Sequence, residues 1–317
     1  MKELPGTKVN AKLQKAVEAR NACEKDFLSR RNVVAVAIGF RIIRGRETDE
    51  ICVKAYVRSK VAESHLPPDE ALPSKVPADG GPVPVDVERM EQPVAINLRE
   101  RIRPVVGGYS VAHCAVTAGT VATAVRDRQQ SAFYLLSNNH VLANANDANL
   151  GDPILQPGPA DGGSYPQDLI ARLCRFVPVR FDGSTNLVDA AIGCIVAGDV
   201  ERRVYWIGEP VATRRRAGVN LGEQLQKTGR TTAYTRGRIS GLHGTVSVNY
   251  GAGRTAVFRE QIITSPMSEG GDSGSLVLDL GGNALGLLFA GSSTHTILNN
   301  IEDVQTELGV LVAETMV

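Results

Sequence analysis

The spacing of apolar residues is helical at the start of the chain and strand-like afterwards. Residues 9–30 carry apolar side chains at roughly helical intervals, with Asn10 as an early cap, which predicts one amphipathic helix. Two β-branched runs follow at 33–43 and 51–57, and the charged residues 44–50 between them predict a hairpin turn. These elements predict a small α+β unit.

The pattern changes after a loop rich in proline and glycine at residues 67–84 and a last short strand near 83–87. From residue 105 onward, many short apolar runs are separated by Gly, Asn and Asp, which is typical of antiparallel β-barrels. A boundary is therefore expected near residue 100. The only later segment with a helical pattern is 301–310, and the clearest strand candidates are 120–125, 133–137, 190–196, 237–242 and 275–280.

Composition narrows the possible partners. The chain has 317 residues, 43% hydrophobic and 22% charged, with a net charge of +1. These values predict a folded protein and exclude a charge field strong enough to require nucleic acid or a membrane surface as partner. The first residues, MKELPG, lack the apolar stretch of a secretory signal, so a cytoplasmic location is expected.

The cysteines predict neither a disulfide framework nor a zinc site. There are five of them, at 23, 52, 114, 174 and 194, widely spaced and without a Cys-x-x-Cys pair. We expect them to be reduced packing residues. No metal and no cofactor are predicted from any other motif.

A candidate nucleophile lies in the segment EGGDSGS, which contains Ser273 and leads into an apolar strand. Flanking glycines allow a tight turn that exposes the hydroxyl and directs the backbone N–H groups of Gly271 and Ser273 at one developing oxyanion. Taken alone, this segment is equally well explained as a plain turn.

A serine nucleophile needs a base, and the base needs a group that fixes its tautomer. His140 follows the segment LLSNN, in which an apolar strand runs out into a polar turn, and Asp189 opens the apolar run AAI. Taken singly, each residue is more often structural: a lone histidine within the fold, or a carboxylate that caps a strand or forms a salt bridge.

The order His140, Asp189, Ser273, together with the three motifs, resembles chymotrypsin-like serine peptidases. The resemblance covers roughly residues 105–317 and implies two six-stranded antiparallel β-barrels after the α+β domain. It implies His140 as general base, Asp189 as its orienting partner and Ser273 as nucleophile. Two departures, Asn139 before the histidine and Gly-Ser after the nucleophile, remove no proton-transfer group. The implied domains are 1–103, 104–213 with His140 and Asp189, and 214–317 with Ser273.

Further segments sharpen this resemblance. KTGRTTAY, at 227–234, is similar to the opening of the second barrel in bacterial members of the streptogrisin and α-lytic type. The NNHVLAN run, the loop GDPILQPG and the N-terminal unit resemble a bacterial subgroup related to plant Nal1-type peptidases. The family also implies that Phe289, Ala290 and Gly291 pair with the substrate backbone; a plain interior strand end is the alternative.

Several alternatives stay open at this stage. The main one is a catalytically silent pseudoprotease that only binds extended peptides, and an adaptor role of the N-terminal unit toward a protein partner is another. An α/β-hydrolase esterase is excluded because it needs Ser before Asp before His. Met267 lies near the expected floor of the substrate pocket, and because no acid is evident there we expect apolar substrate side chains to be preferred over Arg or Lys.

The segment RPVVGG at 103–108 resembles a zymogen cleavage site whose new N-terminus would pair with Asp272. Pro104 makes the bond after Arg103 a poor tryptic substrate, so we expect the uncut chain to be active.

Overall fold

The computed structural model describes residues 5–93, 97–195 and 198–313, and of residues 5–10 and 63 it describes the backbone alone. The chain divides into two compact units, residues 1–96 and 97–317. The further division into domains at residues 213 and 214 stays a prediction.

The first unit is one helix and one four-stranded sheet. Helix α1 spans Pro5–Ser29, and the strands are β1 Val33–Ile43, β2 Arg46–Val57, β3 Lys75–Val76 and β4 Val83–Arg89. The sheet order is β1-β2-β4-β3, with β2 and β4 parallel and the other pairs antiparallel. Helix residues Ala16, Ala19 and Phe27 are buried in one cluster with Val53 and Ala55. The predicted α+β unit is therefore present.

Two details of this unit differ from the sequence expectation. The helix begins at Pro5, so Asn10 lies inside it and does not cap it; proline suits a first helical turn because its missing N–H has no helical partner there. The predicted turn at 44–50 is only Arg44 and Gly45, both with positive φ, 53° and 78°. A two-residue turn of this kind matches the twist of a hairpin, which lets β2 begin at Arg46.

The described part of the second unit contains two large sheets and one parallel pair of strands, Val105–Gly107 with Val200–Val204. Its elements in chain order are β5 Val105–Gly107, β6 Ser110–His113, β7 Gly119–Thr120, β8 Thr123–Asp127, β9 Phe133–Ser137, α2 Asn139–Leu142, β10 Pro153–Leu155, β11 Leu169–Phe176, β12 Thr185–Asn186, β13 Ala191–Ile195, β14 Val200–Val204, β15 Gln224–Gly229, β16 Ala233–Asn249, β17 Thr255–Thr264, β18 Leu276–Asp279, β19 Ala284–Gly291, β20 Thr296–Asn300, α3 Ile301–Leu308 and β21 Val310–Leu311.

The first sheet has the order β21-β8-β9-β13-β11-β10-β6-β7, and the second has the order β12-β17-β16-β15-β18-β19-β20. An additional pairing between β17 and β20 closes β15 to β20 into a six-stranded barrel. The first sheet contains eight strands because the short β7 adds to β6 and the C-terminal β21 adds to β8. The predicted mainly β class with two β-barrel-like sheets is thus confirmed.

Several strand predictions were right in place and inexact in length. The strand predicted at 190–196 is β13, Ala191–Ile195, and Val196 lies outside the described residues. The run at 237–242 is the middle of the much longer β16. The predicted C-terminal helix is α3, which ends at Leu308 before Gly309 with φ 65°.

Apolar side chains from both sheets share one core. Leu136 and Ile192 of the first sheet are buried in the same cluster as Leu276 and Leu287 of the second, together with Ile301 of α3. The two sheets therefore pack against each other, and the loops that leave this shared core lie near one another.

The expectation that all cysteines are reduced was wrong for one pair. Cys174 and Cys194 form a disulfide with a Cα–Cα distance of 5.5 Å. They lie on the neighbouring antiparallel strands β11 and β13, so the pairing arises from strand register, which linear spacing could not show. Cys23 and Cys52 are buried free thiols, and Cys114 is an exposed one. Across the described residues, no helix combines the length and the apolar character needed to cross a membrane.

Candidate active site

His140 and Asp189 are close because their two strands are neighbours. Strands β9 and β13 run antiparallel with Ser137 opposite Ala191, so residues after Ser137 lie beside residues before Ala191. His140 is in the single turn α2 that follows β9, and Asp189 lies just before β13. The structure therefore brings these two predicted residues together.

The carboxylate of Asp189 is completely buried and accepts hydrogen bonds on both oxygens. Oδ1 accepts from the backbone N–H of His140 at 3.1 Å, and Oδ2 lies 2.6 Å from His140 Nδ1. Oδ2 also accepts from the hydroxyl of Tyr250 at 2.6 Å. Burial by itself would raise the pKa of Asp189, but His140 and these hydrogen bonds outweigh it and hold the pKa below the ordinary value.

This geometry fixes the tautomer of the imidazole. A carboxylate can only accept, so the proton of a neutral His140 lies on Nδ1 and leaves Nε2 free to accept one. The His140 side chain is 25% exposed, whereas that of Asp189 is fully buried. Nε2, the basic nitrogen of His140, is therefore directed away from the Asp189 carboxylate.

Buried amides hold the backbone of Asp189. Asn138 Nδ2 donates to the Asp189 carbonyl at 2.7 Å, and the Asp189 N–H donates to Asn299 Oδ1 at 2.9 Å. Gln261 in turn accepts from Asn299 Nδ2 at 2.8 Å. Because Asn299 and Gln261 belong to the second sheet, both sheets fix the position of Asp189.

Ser273 lies in a glycine-flanked turn between β17 and β18. Gly271 and Gly274 have φ of 99° and 97°, a region that side chains rarely adopt. A Cβ on Gly274 would also lie 2.2 Å from the carbonyl oxygen of Thr120. Thr120 N–H donates to the Ser273 carbonyl at 2.8 Å, which fastens the turn to the first sheet.

The hydroxyl of Ser273 is directed at a backbone carbonyl. Oγ donates a long hydrogen bond of 3.5 Å to the carbonyl of Phe289, and within the described chain no hydrogen bond joins it to His140. The structure thus brings His140 and Asp189 into contact, but it does not include the nucleophile–base hydrogen bond. Such bonds are often long or misaligned without substrate.

Two backbone donors beside Ser273 are free. In the described segments, neither the N–H of Gly271 nor that of Ser273 has a hydrogen-bond acceptor, although the neighbouring Asp272 N–H donates to Glu269 O at 3.0 Å. Free N–H groups on either side of one residue can bind an anionic oxygen.

Asp272, between these two donors, is fully buried and paired. Its Oδ2 lies 3.0 Å from Lys227 Nζ, a side chain that is also completely buried. The Thr232 hydroxyl donates to Oδ2 at 2.6 Å, and the Thr231 N–H donates to Oδ1 at 2.8 Å. Burial would raise the pKa of Asp272, but the Lys227 charge and the hydrogen bonds outweigh it and lower the pKa. This network fixes the turn that carries Ser273.

A cavity of about 670 Å³ opens beside Ser273. Met267 is buried in its wall, and Glu269 is the one charged residue among the described residues that line it. The end of β19 forms another wall. Ala290 and Gly291 line this wall and pair with β20, and on their β18 side they have no strand partner in the described residues. Phe289 does not line the cavity: its side chain is buried against Phe258, and its carbonyl accepts from Ser273 Oγ.

Sequence reasoning missed three contributors to this site. Tyr250, in the turn after β16, and Asn299, in β20, both contact Asp189, and neither lies in a motif that signals such a role. Lys227 lies in the KTGRTT segment, but its contact with Asp272 depends on the pairing of β15 with β18, which the sequence does not show. In the described residues, no group of three or more His, Cys, Asp or Glu side chains could hold a metal ion.

Comparison with protein families relates the first unit to a known domain. Residues 11–88 match the family model of the NARROW LEAF 1 N-terminal domain. Similarity to this family agrees with the Nal1-type resemblance of the N-terminal unit, whereas membership of a bacterial subgroup stays a prediction. No curated protein matches the chain.

Solved structures similar to this chain include chymotrypsin-like serine proteases. Thermobifida fusca Protease A is 16% identical, with a TM-score of 0.47, and the match covers 66% of this chain and 98% of that one. Cellulomonas bogoriensis chymotrypsin is 18% identical, with a TM-score of 0.46, covering 65% and 97%. A glutamic acid specific serine protease, which uses a histidine triad in substrate binding, is 21% identical with a TM-score of 0.47, covering 65% and 99%.

Proposed function

We propose that this protein is a serine endopeptidase with His140, Asp189 and Ser273 as its catalytic triad. The observation that carries the proposal is the hydrogen bond of 2.6 Å between His140 Nδ1 and the buried Asp189 carboxylate. This bond leaves Nε2 as the basic nitrogen, which is the state that a general base needs.

In the proposed reaction, the Ser273 hydroxyl turns from Phe289 O toward His140 Nε2. Its oxygen attacks the peptide carbonyl carbon while Nε2 takes the proton, and the oxyanion binds the N–H groups of Gly271 and Ser273. The imidazolium then gives this proton to the leaving amine as the C–N bond breaks, which leaves an acyl-enzyme ester. Water repeats the same steps, releases the acid and restores the serine.

The proposed substrate is an extended peptide or protein segment. The β18 side of Ala290 and Gly291, which has no strand partner in the described residues, supports this, because a peptide in β conformation can add to it as a strand. Pairing of Phe289 with the substrate backbone stays a prediction. An extended mode of binding suits an endopeptidase, since the chain can run past the nucleophile in both directions.

Ser273→Ala tests the proposal by peptide cleavage, because it removes the nucleophile and little volume. We expect turnover to fall by several orders of magnitude with unchanged thermal unfolding. Ser240→Ala is the matched control, since Ser240 is exposed and binds the Ile263 carbonyl outside the site. Equal turnover by Ser273→Ala and wild type would refute the triad.

A peptide-binding protein without hydrolysis is the second candidate. The observation in its favour is that Ser273 Oγ donates to Phe289 O and not to His140 in the described structure. Binding of an extended peptide without cleavage, by wild type and Ser273→Ala alike, would establish it. In either case, a protein partner of the N-terminal unit stays a prediction. The cytoplasmic location stays a prediction, and the disulfide counts against it because such bonds are rare in the cytosol.

A further inference from the structure

Asp189 has a second side-chain donor besides His140. Tyr250 lies directly after β16, where the chain turns toward β17. Its hydroxyl donates at 2.6 Å to Oδ2, the same oxygen that lies 2.6 Å from His140 Nδ1. Over the described part of the chain, the side-chain donors to the Asp189 carboxylate are these two.

The Tyr250 hydroxyl is suited to act only as a donor here. Burial, followed by the charge of Asp189, raises its pKa far above the ordinary value for tyrosine, so the phenol stays protonated. Its ring lies edge-on to His140 with a centroid distance of 6.0 Å and stacks on Phe258 at 6.3 Å. Replacement of the hydroxyl alone therefore leaves a ring that still packs.

The hairpin that carries Tyr250 is fastened to the first half of the unit. Arg254 Nη1 lies 3.1 Å from Asp147 Oδ2, and its guanidinium lies over the Phe181 ring at 5.2 Å. The charged and titratable groups in these contacts are the Arg254–Asp147 pair, Tyr250, Asp189 and His140, and Arg180 and Asp182 flank Phe181 in the chain. Because Arg254 and Asp147 neutralise each other, Tyr250 is the group of the hairpin that acts directly on Asp189.

We infer that Tyr250 is a positioning residue for the triad: its hydroxyl fixes the Asp189 carboxylate in the orientation that binds His140 Nδ1. The inference rests on the proposed function. A carboxylate oxygen with two donors cannot rotate without losing both hydrogen bonds. It is also less basic than an oxygen with one donor, so it binds the protonated imidazole less tightly.

Tyr250→Phe tests this inference, with Tyr134→Phe as control because Tyr134 is a buried tyrosine of β9 outside the site. For Tyr250→Phe we expect labelling by a fluorophosphonate at neutral pH to slow by about 10-fold or more, since a hydrogen bond to a charged group is lost. The acid limb of the pH–rate profile should move to higher pH, and the NMR resonance of the His140 Nδ1 proton should shift. Tyr134→Phe should change neither.

The outcomes separate this inference from the proposed function. An unmoved acid limb and an unshifted Nδ1 resonance in Tyr250→Phe would overturn the positioning role, even if the rate fell, because a general structural loss slows labelling without moving either one. A wild-type protein that never reacts with the probe would refute the peptidase proposal. In that case a shifted Nδ1 resonance in Tyr250→Phe would still support the contact and its effect on His140.

Discussion

Lys227 Nζ lies 3.0 Å from Asp272 Oδ2, and both side chains are fully buried. Asp272 stands next to Ser273 in the turn that carries the two free N–H groups. Lys227 of strand β15 therefore supplies the positive charge that neutralises the buried Asp272. The segment that resembles a zymogen cleavage site is not free to supply one, because Val105 is buried in β5 and its N–H donates to Asp199 O at 2.7 Å.

Lys227→Met should destabilise the protein and disorder the Ser273 turn. Breaking a buried pair leaves an uncompensated charge, which costs about 3–5 kcal/mol of unfolding free energy. Urea unfolding measures this loss, and the double variant Lys227→Met with Asp272→Asn should recover much of the stability because no lone charge remains. A Lys227→Met protein as stable and as reactive as wild type would show that the pair does not support the turn.

The same pair predicts how stability depends on acid. The pKa of Asp272 is lower in the folded chain than in the unfolded chain, so the carboxylate contributes stability above the unfolded value of about 4. That contribution is lost as the pH falls through the lower folded pKa. Asp272→Asn should therefore be less stable than wild type at pH 7, with a difference that shrinks in acid. Urea unfolding at both pH values checks this, with the exposed Asp49→Asn as control. A difference independent of pH would contradict it.

The disulfide predicts a thiol count and a stability change. Cys174 and Cys194 are 20 residues apart, and closing a loop of that length contributes about 3 kcal/mol to stability. The unfolded, unreduced protein should show three free thiols, and the double Cys→Ser variant should lose this stability. Cys114→Ser, which removes an exposed free thiol, is the control. Five thiols in the unreduced protein would show that the bond is absent.

The cavity beside Ser273 predicts a preference for apolar side chains before the cleaved bond. Three hydroxyls of its wall are already engaged: Thr232 donates to Asp272 Oδ2 at 2.6 Å, Thr235 donates to Met267 O at 2.7 Å, and Ser268 is hydrogen-bonded to Thr296 at 2.7 Å. Cleavage of a diverse peptide library measures the preference. A profile dominated by Arg or Lys would contradict it and would point to the exposed Glu269; loss of that profile in Glu269→Gln would then identify the cause.

Much of the fold follows from local patterns in the sequence. Alternating apolar runs predict β9 and β13. The glycines around Ser273 predict a tight turn, and in the structure Gly271 and Gly274 have positive φ. The short motifs around His140 and Asp189 likewise identify both as candidate site residues. These signals are local, because each depends on residues within a few positions of one another.

The rest depends on contacts between distant segments. Tyr250 reaches Asp189 because β16 is long enough to carry its hairpin over the first sheet, and the length of a strand is poorly encoded in a short window. Lys227 meets Asp272, and Cys174 meets Cys194, only once the strands are in register. Sequence spacing alone could not reveal these pairings.

Intact-mass measurement and peptide mapping after treatment with a fluorophosphonate test the central claim most directly. We predict one label per chain, on Ser273, in the uncut protein of 317 residues. Ser273→Ala and His140→Ala should remain unlabelled, whereas Ser240→Ala should label like wild type. Absence of label on wild type, or a label on another residue, would contradict the triad; label found only on a fragment beginning at Val105 would contradict activity of the uncut chain.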